Sequence, residues 1–163
     1  MRAGFLVAVA IAIATLGVSP LTATADPPSD VVFQLHPCSF APPPEVGIWS
    51  ASGAIEDAGT YVTTDGSVSP PGRSFTNAGP FRETFILTSA NGNETLTIGA
   101  EERTSGEFPN FVQSGVWQVE SGTGVYTDAS GHGDVSFATA PTPSCFGSIT
   151  FTLTLAGVIG KVS

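Results

Sequence analysis

The chain has 163 residues, of which 12% are charged, and its 5 basic and 14 acidic side chains give a formal net charge of −9. This acidic balance excludes a protein whose main work is to neutralise nucleic-acid phosphate, because that work requires a basic face. The length fits one domain rather than a two-domain cofactor enzyme, and an apolar share of 41% is sufficient for a hydrophobic core.

The first 25 residues predict a signal peptide. Arg2 supplies a positive start, residues 3–18 are apolar or small, and Ala23-Thr24-Ala25 matches the small-x-small cleavage pattern. The apolar run is shorter than the ~20 residues that a membrane span needs, so a cleaved peptide is favoured over an anchor. No later stretch is long and apolar enough to span a bilayer. We therefore expect a secreted mature chain that begins at Asp26 and has no membrane span.

The two cysteines, Cys38 and Cys145, both lie in the predicted mature chain. An exported protein occupies a compartment where disulfides persist, and two cysteines allow a single intramolecular pairing. A bridge would close a loop of about 100 residues and would stabilise the fold by roughly 4–5 kcal/mol in the chain-entropy model. The two positions lack the C-x-x-C spacing of a catalytic thiol pair.

Apolar residues alternate with polar ones after residue 26, and turn residues recur every eight to twelve positions or so, which is typical of antiparallel β proteins. In the segment 149–155 every odd position is large and apolar and every even position is threonine, which predicts a strand with one wet face. Proline-rich segments at 41–44, 69–72 and 141–143 indicate loops. The predicted strands cover residues 31–36, 47–57, 60–64, 81–90, 94–103, 111–120, 132–139 and 147–158.

One hairpin can be predicted to its register. Asn91-Gly92 is a strong signal for a two-residue hairpin loop, because both residues tolerate positive φ. This loop places Leu87 opposite Leu96 and Phe85 opposite Ile98, and these pairs form an apolar face. On the other face of the hairpin, Arg82 lies opposite Glu101 and forms an opposite-charge pair with it. A slip by one residue would break both agreements.

The same register brings two carboxylates together on the apolar side. Glu83 lies opposite Ala100 and Phe81 lies opposite Glu102, so Glu83 and Glu102 are diagonal neighbours at the end away from the turn. If the sheet closes into a barrel, both point into its mouth. The expected arrangement is a solvated rim, since ionisable residues at strand ends are usually exposed. The alternative is a catalytic pair whose pKa values are driven apart, suited to acid–base chemistry.

From Ser114 the chain reads Ser-Gly-Val-Trp-Gln-Val-Glu-Ser-Gly-Thr-Gly-Val-Tyr-Thr-Asp-Ala-Ser-Gly-His-Gly. This segment resembles the allene oxide cyclase-like and dirigent-like β-barrels, including small secreted bacterial members. In that family a Gly-x-Trp strand leads into Gly-Thr-Gly-x-Tyr, a short loop and Gly-x-Gly. The matching positions are Gly115, Trp117, Gly122, Thr123, Gly124, Tyr126, Gly131 and Gly133. Residues 52–61 resemble a strand–turn unit of the same family.

The resemblance and the strand pattern together predict an all-β fold, a single antiparallel closed or nearly closed barrel of about eight strands. The expected domains are a signal peptide at 1–25, a lead-in with a short strand at 26–46 and the barrel at 47–163. Such a barrel is filled by its side chains or holds one small apolar ligand. The candidate ligand contacts are Phe85, Leu87, Leu96, Ile98, Trp117 and Tyr126. Tyr126 is expected to pack across a turn and to make one hydrogen bond.

Binding of a small apolar molecule in the barrel interior is the leading functional prediction. The resemblance implies an alternative, a cofactor-independent cyclase or isomerase that steers a reactive intermediate, with Glu83 and Glu102 as catalytic residues inferred from register. A structural or adhesive envelope protein without a ligand is the third reading. No metal or cofactor is predicted. Asp128, His132 and Asp134 have only a loosely metal-like spacing, and His36 is expected on the surface.

Overall fold

The structure is a computed structural model that describes residues 27–38, 44–66, 81–105, 112–140 and 150–162. It confirms an all-β fold, because eight antiparallel strands form one closed barrel in which each strand pairs with its neighbours along the chain and β1 pairs with β8. The strands are β1 (Ser29–Pro37), β2 (Val46–Gly53), β3 (Asp57–Gly66), β4 (Phe81–Ser89), β5 (Thr95–Ser105), β6 (Val112–Gly122), β7 (Ser130–Ala140) and β8 (Thr150–Gly160).

The strand expected in the N-terminal lead-in is β1, and it is an integral part of the barrel. It pairs with β2 on one side and closes the sheet against β8 on the other, with Phe33 opposite Leu155. The signal peptide, the proline-rich segments 69–72 and 141–143, most of 41–44 and Cys145 lie outside the described residues. Cys38 follows β1 directly and is half-buried, so its pairing with Cys145 stays a prediction.

The strand predicted over 47–57 ends earlier, at Gly53. Gly53 has a φ of +99°, and the next N–H, that of Ala54, donates a hydrogen bond to the Asp30 carbonyl oxygen at 2.8 Å. Ile55 continues the apolar alternation of β2 in the sequence, but it enters the core from the turn and is 4% exposed. The strand therefore ends four residues earlier than the alternation predicts, and β3 begins at Asp57.

The predicted register of the β4–β5 hairpin is confirmed, with Phe85 opposite Ile98 and Glu83 opposite Ala100. The prediction of a two-residue loop is wrong. The Gly92 N–H donates to the Ser89 carbonyl oxygen at 2.8 Å, and residues 90–93 form the turn. Gly92 has a φ of +75°, whereas Asn91 does not have a positive φ and instead accepts a hydrogen bond from the Asn93 N–H through its side chain. The asparagine side chain thus stabilises a longer turn that keeps the same register.

The predicted ion pair on the outer face of this hairpin forms with a different partner. Arg82 lies opposite Glu101, but its guanidinium pairs with Glu120 of β6. The register of β5 with β6 shifts at this point, which makes Glu120 an extra residue in its strand. The Glu120 carboxylate lies over Gly99, where a side chain would block it.

Large apolar side chains fill the middle of the barrel. The rings of Phe33 and Trp117 meet edge to face with centroids 5.7 Å apart, and the rings of Phe33 and Trp49 are 6.3 Å apart. The Trp117 indole N–H donates to the Ala156 carbonyl oxygen at 3.3 Å. Trp117 therefore lies in the interior, as the alternation of β6 predicts.

One end of the barrel, where β2 and β6 end, is covered by a short 3₁₀ helix at Gly124–Tyr126. Tyr126 is 2% exposed, and its hydroxyl donates to the Asp57 carboxylate at 2.7 Å. Gly124 has a φ of +62°, and a Cβ at Gly122 would lie 2.2 Å from the Tyr126 carbonyl oxygen. The Gly-Thr-Gly-x-Tyr motif is thus the sequence that lets the chain turn and place its tyrosine over the barrel end. We call this the plugged end.

The strand from Thr150 carries one buried hydroxyl that the alternation does not predict. Thr152 belongs to the outer face of β8, yet it is 9% exposed and its hydroxyl lies 3.2 Å from Nδ1 of His36. His36 is half-buried rather than on the surface. The described residues contain no helix long and apolar enough to cross a membrane.

Candidate functional site

Glu102 is a buried carboxyl group inside the barrel. It continues the inward-facing positions of β5 that begin with Leu96 and Ile98, and it is 1% exposed. Its Oε2 accepts a hydrogen bond from the Gln113 side-chain amide on β6. Its Oε1 is buried and has no hydrogen-bonding partner among the described residues. Glu102 therefore keeps one unsatisfied acceptor inside the barrel, away from the plugged end, at a cost of about 1–3 kcal/mol.

Glu83 is half-buried on the neighbouring strand and faces the same interior. Its pKa is raised to about 8, chiefly by burial and in addition by the nearby carboxyl groups of Glu102 and Glu45. The pKa of Glu102 is raised to about 7 by burial, which the hydrogen bond from Gln113 opposes. The expectation that both carboxylates lie on a solvated rim is wrong for Glu102. The Glu102 side chain is only 1% exposed, so water has almost no access to it.

Glu45 and Tyr61 complete the cluster, and the sequence analysis did not identify either as a site residue. The Glu45 N–H donates to the Thr63 hydroxyl at 2.8 Å, which holds this residue against β3 just before β2 begins. The Tyr61 hydroxyl donates to the Glu45 carboxylate at 2.7 Å. Burial raises the pKa of both groups, and the two glutamates Glu45 and Glu83 raise that of Tyr61 further.

A signal for Glu45 exists in the sequence. The inward positions of β2 are Gly47, Trp49 and Ala51, and the same parity extended backwards includes residue 45. It was missed because Glu45 follows three consecutive prolines and precedes the predicted strand. Tyr61 lies in the segment 52–61, which resembles a strand–turn unit of the family, and its sequence context predicts no role in a site.

Glu45, Glu83 and Glu102 form what we call the acidic cluster, and the barrel end that holds it is the acidic end. Here β1, β3, β5 and β7 end and β2, β4, β6 and β8 begin. The chemistry available is that of carboxyl groups whose protons are held to unusually high pH, in an environment largely removed from water. Such groups accept hydrogen bonds or cations when ionised and exchange protons close to neutral pH.

The six predicted ligand contacts lie in the core of the barrel. Phe85, Leu87, Leu96, Ile98, Trp117 and Tyr126 are each at most 2% exposed. Phe85 lies beside the acidic cluster, because its ring meets edge to face, at 6.0 Å, the ring of Tyr61, whose hydroxyl donates to Glu45. Tyr126 lies at the plugged end and makes its expected hydrogen bond. The structure thus brings together Glu83, Glu102 and Phe85 and separates them from Tyr126, and a role of these side chains as ligand contacts stays a prediction.

A depression of about 370 Å³ lies outside the plugged end, lined by Ile55, Asp57, Glu94, Val125, Tyr126 and Val162 among others. Its buried polar groups are satisfied. The Asp57 carboxylate accepts hydrogen bonds from the Tyr126 and Ser89 hydroxyls and from the Ala58 N–H. It therefore differs from the acidic end, where Glu102 retains an unpaired oxygen.

Asp128, His132 and Asp134 are exposed. The part of the chain that the structure describes contains no group of three or more His, Cys, Asp or Glu side chains that could hold a metal ion. No protein-family model, curated protein or solved structure matches this chain.

Proposed function

We propose that this protein binds a small organic molecule at the acidic end of its barrel. The observation that carries the proposal is the buried, unpartnered Oε1 of Glu102. Buried polar groups are normally hydrogen-bonded, and an exception is a candidate for a ligand contact. A ligand that donates a hydrogen bond to this oxygen removes the desolvation cost that the free protein retains.

The apolar part of the ligand belongs against the aromatic side of the cluster. Tyr61 and Phe85 are 3% and 1% exposed, and their rings meet edge to face beside the carboxyl groups. Deeper in the barrel, Phe33 and Trp117 pack directly against each other. This arrangement favours a ligand above the packed core, with its polar group on Glu102 and its apolar group on the rings.

Native mass spectrometry of protein purified from its own culture medium tests this proposal. We expect an adduct of a few hundred daltons that is lost on denaturation and is absent from the Glu102→Leu variant. Glu101→Gln is the matched control, since Glu101 is the exposed neighbour on the same strand. A bare mass for the native protein, together with no ligand recovered by solvent extraction, would contradict the proposal.

A second candidate function is a cofactor-independent cyclase or isomerase, as the family resemblance implies. The specific observation in its favour is that Glu83 and Glu102 have pKa values of about 8 and 7. Near neutral pH one carboxyl can donate a proton while the other accepts one. Glu102→Gln is then expected to abolish turnover of the extracted compound while leaving its affinity within a few fold. Unchanged turnover would contradict a catalytic role for Glu102.

The structural or adhesive reading has less support. The large apolar side chains that are exposed on the described surface are Val46 and Ile48 on β2 and Val112 and Val116 on β6. These two strands are not neighbours in the barrel, so the four side chains do not form one apolar patch across the described surface.

Export and a disulfide belong to the proposal as well. The pattern of residues 1–25 supports cleavage after Ala25 and secretion of the mature chain. Cys38 immediately follows β1, where a bridge to Cys145 would join the first strand to the segment before β8. Membership in the allene oxide cyclase-like and dirigent-like group is also proposed, and the motif at residues 114–133 supports it.

A further inference from the structure

The acidic cluster is unbalanced in charge. Glu45 and Glu102 raise the pKa of Glu83, and Glu45 also raises that of Glu102, so the three carboxyl groups are close enough to repel one another when ionised. The basic side chains of the described residues lie elsewhere. Arg82 pairs with Glu120 on the outer face, Arg103, His132 and Lys161 are exposed, and His36 lies against Thr152. No described cation therefore compensates Glu45, Glu83 and Glu102.

The cluster is also unbalanced in hydrogen bonding. The two donors that the described residues supply are the Tyr61 hydroxyl, which donates to Glu45, and the Gln113 amide, which donates to Glu102. No described residue donates a hydrogen bond to Glu102 Oε1 or to Glu83. When ionised, Glu102 is an acceptor only, so the missing partner of its Oε1 must be a donor. The strands β1, β7 and β8 contribute apolar Leu35, Phe137 and Leu153 to this end rather than charged groups.

We propose that the ligand carries a protonated primary or secondary amine, which binds between Glu83 and Glu102. This inference rests on the proposed function and names its substrate class. An ammonium group with at least two N–H bonds supplies one donor to each carboxylate and also neutralises their repulsion. An alcohol supplies one donor and no charge, and a quaternary ammonium supplies charge without a donor. A ligand with carbonyl or carboxylate groups alone offers the wrong polarity.

The pH dependence of binding follows from the proton balance. With pKa values of about 8 for Glu83 and about 7 for Glu102 in the free protein, an amine must displace protons from the pair as it binds. Its affinity therefore rises with pH until both groups are ionised, by up to about tenfold per pH unit for each proton released. A neutral ligand that accepts a hydrogen bond from a protonated carboxyl has the opposite dependence.

The test uses benzylamine, benzyl alcohol and benzyltrimethylammonium as probes and follows the backbone amides by ¹H–¹⁵N NMR at about pH 6 and about pH 8.5. We expect benzylamine to shift amides of β4 and β5 at the acidic end, with at least about tenfold higher affinity at the higher pH. The alcohol and the quaternary ion should bind at least about tenfold more weakly at that pH. Glu83→Gln and Glu102→Gln should each weaken benzylamine binding by a similar factor, and Glu101→Gln should not.

Two results would overturn the amine inference and leave the proposed function standing. One is equal or tighter binding of the alcohol at the acidic end at the higher pH. The other result concerns Arg73, which lies outside the described residues. If benzylamine binds only after Arg73→Ala, the cation that neutralises the acidic cluster is a side chain of the protein and not a ligand. If none of the three probes shifts the amides of the acidic end, either in the original chain or in Arg73→Ala, both the amine inference and the proposed function are overturned.

Discussion

At the scale of single residues, Glu102 places a carboxyl group at a buried position that faces the barrel interior. An apolar residue of similar size would fill the same position on β5 without a desolvated carboxyl group and without an unpaired oxygen. Asp57 at the opposite end shows how the same fold satisfies a partly buried carboxylate, with three donors. The contrast between these two acidic residues is what identifies one as structural and the other as a candidate ligand contact.

The raised pKa values predict how stability depends on pH. Between the ordinary value of 4.5 and the folded values of about 7 and 8, the folded protein binds protons at Glu102 and Glu83 that the unfolded chain has released. The free energy of unfolding must therefore fall as the pH rises from about 5 to about 8. Glu102→Gln should make this fall shallower, as measured by urea denaturation at several pH values. Glu101→Gln should leave it unchanged, and an unaltered slope in Glu102→Gln would contradict the burial of an ionisable group there.

Tyr126 allows a second prediction at this scale. Tyr126→Phe removes the hydroxyl that donates to the Asp57 carboxylate but keeps the buried ring. Asp57 then retains its hydrogen bonds from Ser89 and Ala58. We expect a loss of about 1–2 kcal/mol in the free energy of unfolding, with no effect on ligand binding at the acidic end. A loss of binding in Tyr126→Phe would show that the two ends are coupled.

At the scale of elements, the hairpin and the plugged end show what local sequence determines. The register of β4 with β5 agrees with its apolar pairs on the inner face, such as Phe85 with Ile98, and it is insensitive to the form of the turn. The turn itself depends on side-chain hydrogen bonds of Asn91 that alternation does not report. The same limit applies to Ile55, which fits the apolar alternation of β2 although it lies in the turn after that strand.

Glycine substitutions test the account of the plugged end. Gly122→Ala places a Cβ 2.2 Å from the Tyr126 carbonyl oxygen, whereas Gly92→Ala, with a φ of +75°, meets nothing within 4 Å. The second change should cost about 1–2 kcal/mol, the ordinary penalty for a left-handed conformation. The first should cost more, because the 3₁₀ helix must move away from the barrel end. Thermal unfolding of the two variants compares them directly, and an equal or smaller effect at Gly122 would contradict this packing.

At the scale of the whole molecule, the fold was predictable and the site was predictable in part. Strand number and the inward faces follow from the period of two and from the spacing of turns, which are local properties of the sequence. Glu83 and Glu102 could be placed together because one hairpin joins them. Glu45 could not, because it lies just before β2 and comes near Glu102 only when the sheet closes. Gln113 lies diagonally opposite Glu102 on the adjacent strand β6, and the register of that pair of strands was not predicted. Burial of Glu102 is likewise a property of the closed barrel rather than of its strand.

The predicted bridge between Cys38 and Cys145 also acts on the whole molecule. It would restrict the unfolded chain over a loop of about 100 residues, so its removal should lower the free energy of unfolding by roughly 4–5 kcal/mol. The double variant Cys38→Ala with Cys145→Ala, compared with the oxidised protein by urea denaturation, measures this effect. Denatured mass spectrometry before and after reduction reports the two hydrogen atoms of the bond. An unchanged mass and equal stabilities would contradict the bridge.

The most direct test of the central claim is a pH titration of the glutamate side-chain carboxyl carbons by ¹³C NMR in the folded protein without added ligand. Glu83→Gln and Glu102→Gln assign the two resonances. If the acidic cluster is desolvated, both carboxyl groups titrate above about pH 6, with pKa values of about 8 for Glu83 and about 7 for Glu102. Binding of an amine then lowers both pKa values. Titration of both groups between about pH 4 and 5, the range of exposed glutamates, would contradict a desolvated acidic cluster and the binding site built on it.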